Sequence, residues 1–151
     1  MPAVPAPRAP NDADRVARLH GLDVLDTLPE QAYDDIVTLA SAICGTPIAL
    51  VSLVDQDRQW FKARVGLAAS ETPRDVAFCD HAILQPDAVL QVSDAREDAR
   101  FADNPLVTGA PHIRFYAGAP IVVPGGAAMG TVCVIDTAPR RLTPGQERAL
   151  Q

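Results

Sequence analysis

The sequence contains no run approaching the ~18 consecutive apolar residues that carry a helix across a bilayer. Residues 1–10 lack the apolar stretch of a secretory signal. Neither a membrane span nor export is therefore expected. Cysteine is scarce: Cys44, Cys79 and Cys133 are odd in number and form no C-x-x-C pair. That usage fits a reduced cytoplasmic protein better than a disulfide framework. There is no Lys/Arg stripe to offset a net charge of −6 and a pI near 4.9. Such a surface repels phosphate backbones and anionic headgroups, so neither nucleic acid nor a membrane surface is an expected partner. Internal repeats are lacking, and so is any low-complexity tract beyond the Pro/Ala-rich start.

What is present is globular. The chain has 151 residues, 48% apolar and 21% charged, enough for one core without staples. Residues 1–11 read as a flexible tail and 12–151 as a single domain. Asn11 or Asp12 can cap a helix through Val16 and Leu19 to about His20, broken by Gly21. Thr27-Leu28-Pro29-Glu30 has the form of a capping box. The helix after it places Ala32, Ile36, Leu39, Ala40 and Ile43 on one stripe, which predicts a packed face ending at Gly45.

Residues 47–54 form a continuous apolar run, the pattern of a strand covered on both faces. After the turn Asp55-Gln56-Asp57, residues 59–65 alternate, with Trp60, Lys62 and Arg64 on one side and Phe61, Ala63 and Val65 on the other. Residues 66–75 read as a polar surface connection, 78–84 as two helical turns and 89–92 as a short strand. Residues 93–111 form a long connection, expected to hold short helices of its own or to be functional. Residues 113–123 and 129–136 make a second strand pair around Pro124-Gly125-Gly126, with Gly118 and Gly130 marking bulges or close approach. Thr143, Pro144 and Gln146 start a last helix. Five further residues make a marginal helix, so a longer one is expected to continue past the end. Locally paired strands with helices before, between and after them predict an α+β domain.

Several blocks carry a resemblance. Leu25-Asp26-Thr27, the strand at 47–55, Arg58-Gln59-Trp60-Phe61-Lys62-Ala63 and Glu71-Thr72-Pro73-Arg74-Asp75 resemble the GAF domains of bacterial signalling proteins. So do Phe78-Cys79-Asp80-His81-Ala82-Ile83, Arg114-Phe115-Tyr116-Ala117-Gly118 and Gly130-Thr131-Val132-Cys133-Val134-Ile135-Asp136. The resemblance implies a PAS-like fold: an antiparallel sheet of five or six strands, terminal helices on one face and a pocket under loops and short helices on the other. It also implies a non-catalytic sensor in signal transduction, of the kind that precedes histidine kinase or diguanylate cyclase modules. Neither module is recognisable in this chain.

Candidate chemistry is sparse. Cys79-Asp80-His81 could supply a thiolate and an imidazole, but i, i+2 residues diverge on a helix, and no second Cys/His pair completes a metal site. Bilin-binding relatives attach pigment at a Cys followed directly by His, whereas Asp80 intervenes here. Asp98, Phe101, Asp103 and Asn104 resemble part of a cyclic-nucleotide pattern whose Asn-Lys pair is missing. Asp94, Arg96 and Arg100 read as solvated ion pairs or caps. No metal or cofactor is expected. The candidate pocket residues are Trp60, Arg64, Cys79, His81, Arg114 and Tyr116, able to hold a small molecule between the sheet and residues 78–113. A homodimer through the terminal helices is expected from the apolar Val16, Leu19, Ile36 and Ile43. The enzymatic alternative is a free methionine-R-sulfoxide reductase using Cys79, and a third reading is a dimerisation and signal-relay module whose pocket is packed shut.

Overall fold

The computed structural model describes residues 5–150. Among them, helices α1 (Asp12–Gly21) and α2 (Gln31–Cys44) precede strands β1 (Ile48–Val54), β2 (Arg58–Val65) and β3 (Glu71–Pro73). Helix α3 (Phe78–Ala82), strand β4 (Leu90–Val92) and helix α4 (Pro105–Thr108) fill the middle. Strands β5 (Phe115–Val122) and β6 (Ala128–Asp136) and helix α5 (Pro144–Leu150) close the chain. The strands form one antiparallel sheet in the order β3-β2-β1-β6-β5-β4, as an α+β reading requires. All seven residues of β1 are buried, because this central strand is covered on both faces.

The two faces bury different layers. Val37, Ala40 and Cys44 of α2 pack on Ala49, Val51, Ala63, Ala117 and Val134, with Leu142 and Leu150 completing the layer. On the other face Leu50, Phe61, Tyr116, Cys133 and Ile135 meet Phe78, Phe101 and Val107 from the middle of the chain. Helix α5 carries its expected cap: Thr143 Oγ1 accepts from the Gln146 amide (3.1 Å) and Gln146 Oε1 accepts from the Thr143 amide (2.9 Å). Gln146 Nε2 then donates to the Ile43 carbonyl (3.0 Å), joining α5 to the end of α2.

Several expectations are corrected. The buried stripe of α2 is Val37, Ala40 and Cys44, with Tyr33 half-buried beside it, while Ala32, Ile36, Leu39 and Ile43 face outward, Leu39 being 60% exposed. Val16 and Leu19 are buried inside the domain and offer no surface. The box before α2 does not close: Glu30 is the cap residue but its side chain makes no capping bond, and the Thr27 hydroxyl donates to the Val24 carbonyl (2.5 Å). Lys62 organises that entry, its buried ammonium donating to Thr27 Oγ1 (2.7 Å) and the Leu28 carbonyl (2.7 Å) and pairing with Glu30 (2.6 Å).

In the β1–β2 register Val51 faces Ala63 and Ser52 faces Phe61, so Lys62 is an extra residue in a bulge. The bulge breaks the simple alternation. Ala63 and Val65 turn to the α2 layer while Phe61 stays on the opposite one. Residues 66–75 are also not all surface: Glu71–Pro73 pairs with β2 as an edge strand, and Arg74 is buried. Ahead of α1, Ala6 is buried and Arg8 donates to the Gln56 carbonyl (2.7 Å), so the leading segment is held from at least there. The rest of the expected tail, residues 1–4, lies outside the described residues.

Candidate functional site

Residues 66–113 cross the sheet face that α2 leaves open, and between the two lies a cavity of about 260 Å³. Its floor is Ile48, Leu50, Phe61, Tyr116, Cys133 and Ile135 from four strands. Its roof is Leu67, Phe78, Leu106, Pro111 and Ile113. Local sequence sets the roof. Asn104, buried, caps α4 by accepting from the Leu106 amide (2.9 Å) and ties the helix down by donating to the Val76 carbonyl (3.0 Å). Phe101 stacks on Phe78 with ring centroids 4.0 Å apart, which fixes α3 against the segment before α4.

Among the described residues, only Gln59, Thr72, Tyr116 and Cys133 bring polar side-chain atoms to this lining. Behind them runs a buried hydrogen-bonded chain. Gln59 Nε2 donates to Thr72 Oγ1 (2.8 Å), Ser52 Oγ donates to Gln59 Oε1 (2.9 Å), and Ser52 Oγ lies 3.0 Å from Cys79 Sγ, which also donates to Gln59 Oε1. Tyr116 Oη reaches Thr131 Oγ1 at 3.4 Å. Burial pushes the Cys79 thiol up to about 11 and also raises the Cys133 thiol and the Tyr116 phenol above their ordinary values, so all three are protonated and neutral near pH 7. A thiolate nucleophile is disfavoured there. We expect iodoacetamide at pH 8 to leave Cys44, Cys79 and Cys133 essentially unmodified in the folded protein and to label all three in urea; rapid native labelling of Cys79 would contradict this placement.

A second cluster sits beside the first. Arg74 clamps Asp12 with two bonds (2.8 and 3.0 Å) and donates to Asp80 from Nε (2.9 Å). Arg15 donates to Asp12 (3.1 Å) and to the Val54 carbonyl (2.6 Å). All four side chains are buried, and they join α1 to α3. The clamp holds the Asp12 carboxyl down at about 2, whereas burial holds Asp80 above the ordinary carboxylate value in spite of Arg74.

Of the six residues expected in the pocket, Tyr116 alone lines the cavity. Cys79 is one layer behind it, reached through Ser52 and Gln59. Trp60 is on the opposite face with Leu19, Leu53 and Met129, and Arg64 is exposed along the α2 side. His81 points away from Cys79, edge-on to Phe101 with centroids 4.9 Å apart, as an i, i+2 pair requires. Arg114 secures the roof by donating to the Val107 carbonyl (2.8 Å). Gln59, Thr72 and Cys133 line the cavity without having been among the candidates. Ser52, a hydroxyl inside an otherwise apolar strand, was the signal that a buried polar chain crosses this face. Asp94–Arg96 and Asp98–Arg100 are the solvated pairs expected. Among the described residues no three His, Cys, Asp or Glu side chains stand close enough to share a metal ion, and no helix is long and apolar enough to cross a membrane.

The family model of the GAF domain matches residues 28–151. The chain belongs to the GAF domain family. As a GAF domain it is 43% identical over 134 residues to a cyclic di-GMP phosphodiesterase of Pseudomonas aeruginosa, covering 89% of this chain. The chain spans 23% of that relative's length. Its fold is similar to the GAF domain of a phosphoenolpyruvate-protein phosphotransferase from Coxiella burnetii (TM-score 0.64, 12% identity, covering 91% of this chain and 84% of that one). It is also similar to the phycocyanobilin-bound GAF domain of a cyanobacterial phytochrome (TM-score 0.62, 14% identity, covering 95% and 89%). At those identities the solved structures speak for the GAF fold alone. The reductase alternative is the weaker one for this GAF domain, since its thiols are buried and held protonated.

Proposed function

We propose that this GAF domain is a sensory and regulatory unit of a longer bacterial signalling protein, working in the cytoplasm and catalysing no reaction itself. It takes a small molecule between the sheet and residues 66–113. It reports occupancy to an output module such as a phosphodiesterase, a histidine kinase or a diguanylate cyclase. The observation that carries this reading is the 43% identity to one quarter of a larger enzyme, over a stretch that folds with its own core and cavity. A route for the signal is at hand: Phe78 lines the cavity, Asp80 two residues on bonds Arg74, and Arg74 bonds Asp12 at the start of α1. Displacement of α3 by a ligand is thereby felt at a terminal helix.

The test is an assay of the isolated chain for cyclic di-GMP hydrolysis and for thiol-dependent reduction of free methionine sulfoxide. Neither turnover is expected. Reduction that disappears in Cys79→Ser or Cys133→Ser overturns the reading.

The domain is further proposed to pair with a second copy through α2, whose Ile36, Leu39 and Ile43 form an exposed apolar stripe. Sedimentation of wild type should show concentration-dependent dimerisation that Leu39→Glu abolishes without lowering the melting temperature. A wild type monomeric at all concentrations contradicts the pairing.

A further inference from the structure

The cavity's chemistry narrows what it can accept. Among the described residues no Arg, Lys, His, Asp or Glu lines it. The arginines and the lysine on the neighbouring elements are committed elsewhere. Arg74 is held by Asp12 and Asp80, Arg114 by backbone carbonyls, and Lys62 by Glu30 on the opposite face. An ionised ligand would be stripped of water with no counter-charge, and the free energy of that step is prohibitive.

The polar end of the lining is small and neutral. Gln59 Oε1 is already occupied by Ser52 and Cys79, while Nε2 uses one of its two N–H groups on Thr72. A second amide N–H and the Thr72 hydroxyl proton remain to meet one acceptor. The volume of about 260 Å³ falls just below the roughly 300–1,000 Å³ typical of ligand pockets, so the occupant is small.

We propose that the ligand of this domain is a compact, uncharged, largely apolar molecule with one hydrogen-bonding end seated on Gln59 and Thr72, and that phosphate-bearing ligands, cyclic nucleotides included, are excluded. This rests on the reading of the cavity as the sensory site.

The experiment titrates the chain at pH 7 with 2-naphthol, 2-naphthoate, naphthalene and cyclic GMP, followed by calorimetry. 2-Naphthol should bind with micromolar affinity. 2-Naphthoate has the same body but must take up a proton first, which at a carboxyl pKa near 4 weakens it at least about 100-fold. Its apparent affinity should climb about tenfold per pH unit as the solution is acidified from 7 toward 5.5. Thr72→Val should weaken 2-naphthol about fivefold and leave naphthalene unchanged. Leu50→Trp, filling the floor, and Leu106→Trp, blocking the mouth with less risk to folding, should each abolish binding.

If 2-naphthoate or cyclic GMP binds as well as 2-naphthol and both tryptophan variants remove it, the ligand class is wrong while the cavity reading stands. If no probe binds and Leu50→Trp raises the melting temperature, the cavity reading falls too. Binding of 2-naphthol unaffected by either tryptophan variant also overturns the proposal, since it then occurs elsewhere.

Discussion

Arg74→Met is expected to destabilise the domain by about 3–5 kcal/mol, because it leaves the Asp12 and Asp80 carboxylates buried without their shared cation. For a domain of this size that lowers the melting temperature by roughly 10 °C or more, readable by calorimetry or circular dichroism. Arg96→Met serves as the comparison. Arg96 is also paired, with Asp94, but in solvent, and its loss should leave the melting temperature unchanged. The pH dependence separates the two carboxylates that Arg74 holds. Asp12 is depressed from 3.8 to about 2 in the folded state, so its ionisation stabilises the fold above its unfolded pKa, and that contribution fades as the pH falls through 4 toward 2. Asp12→Asn should therefore cost about 2 kcal/mol at neutral pH and progressively less in acid. Asp80 is shifted the other way by burial. Its linkage favours the fold below the unfolded pKa and is lost as the pH rises through the folded value, so Asp80→Asn should be the milder substitution at pH 7. Equal melting temperatures for Arg74→Met and wild type would contradict the clamp.

Gly130→Ala should cost about 3 kcal/mol, for a different reason. Gly130 lies opposite Leu53 in the central β1–β6 pair, and an added Cβ would collide with the Ser52 carbonyl and the Leu53 backbone, neither of which can rotate away. Part of the sheet must shift, and the polar chain beginning at Ser52 shifts with it. Gly21→Ala is the contrasting substitution: at the end of α1, with open space around its Cβ position, it should gain about 0.5–1 kcal/mol. Denaturant unfolding of both variants checks the pair. A Gly130→Ala protein as stable as wild type would show that the strands are not packed this closely.

These two positions also illustrate what can be read from the sequence. Gly130 in a strand signals close approach by itself, and the strand pairs, α5 with its Thr143–Gln146 box and the α+β layering follow from local pattern. The face of α2 does not. Ala40 is buried as expected, but Ile36, Leu39 and Ile43 on one side of it and Val37 and Cys44 on the other both have helical spacing, and only the sheet beneath decides between them. The bulge at Lys62 reverses the facing of Ala63 and Val65, and no local residue announces it. Arg74 looks like surface because its partner Asp12 is 62 positions away. Trp60 and Arg64 have the aromatic and cationic character of ligand contacts but lie on the α2 side of the sheet, whereas the cavity on the other face is lined by apolar side chains with a neutral amide and hydroxyl.

The most direct test of the account is methyl NMR of the isoleucine and leucine side chains during titration with 2-naphthol. The account predicts shifts at Ile48, Leu50, Leu106, Ile113 and Ile135, which surround the cavity, and none at Ile36, Leu39 and Ile43 on the outer face of α2. Shifts confined to the α2 residues, or no shifts at all at saturating probe, would contradict it.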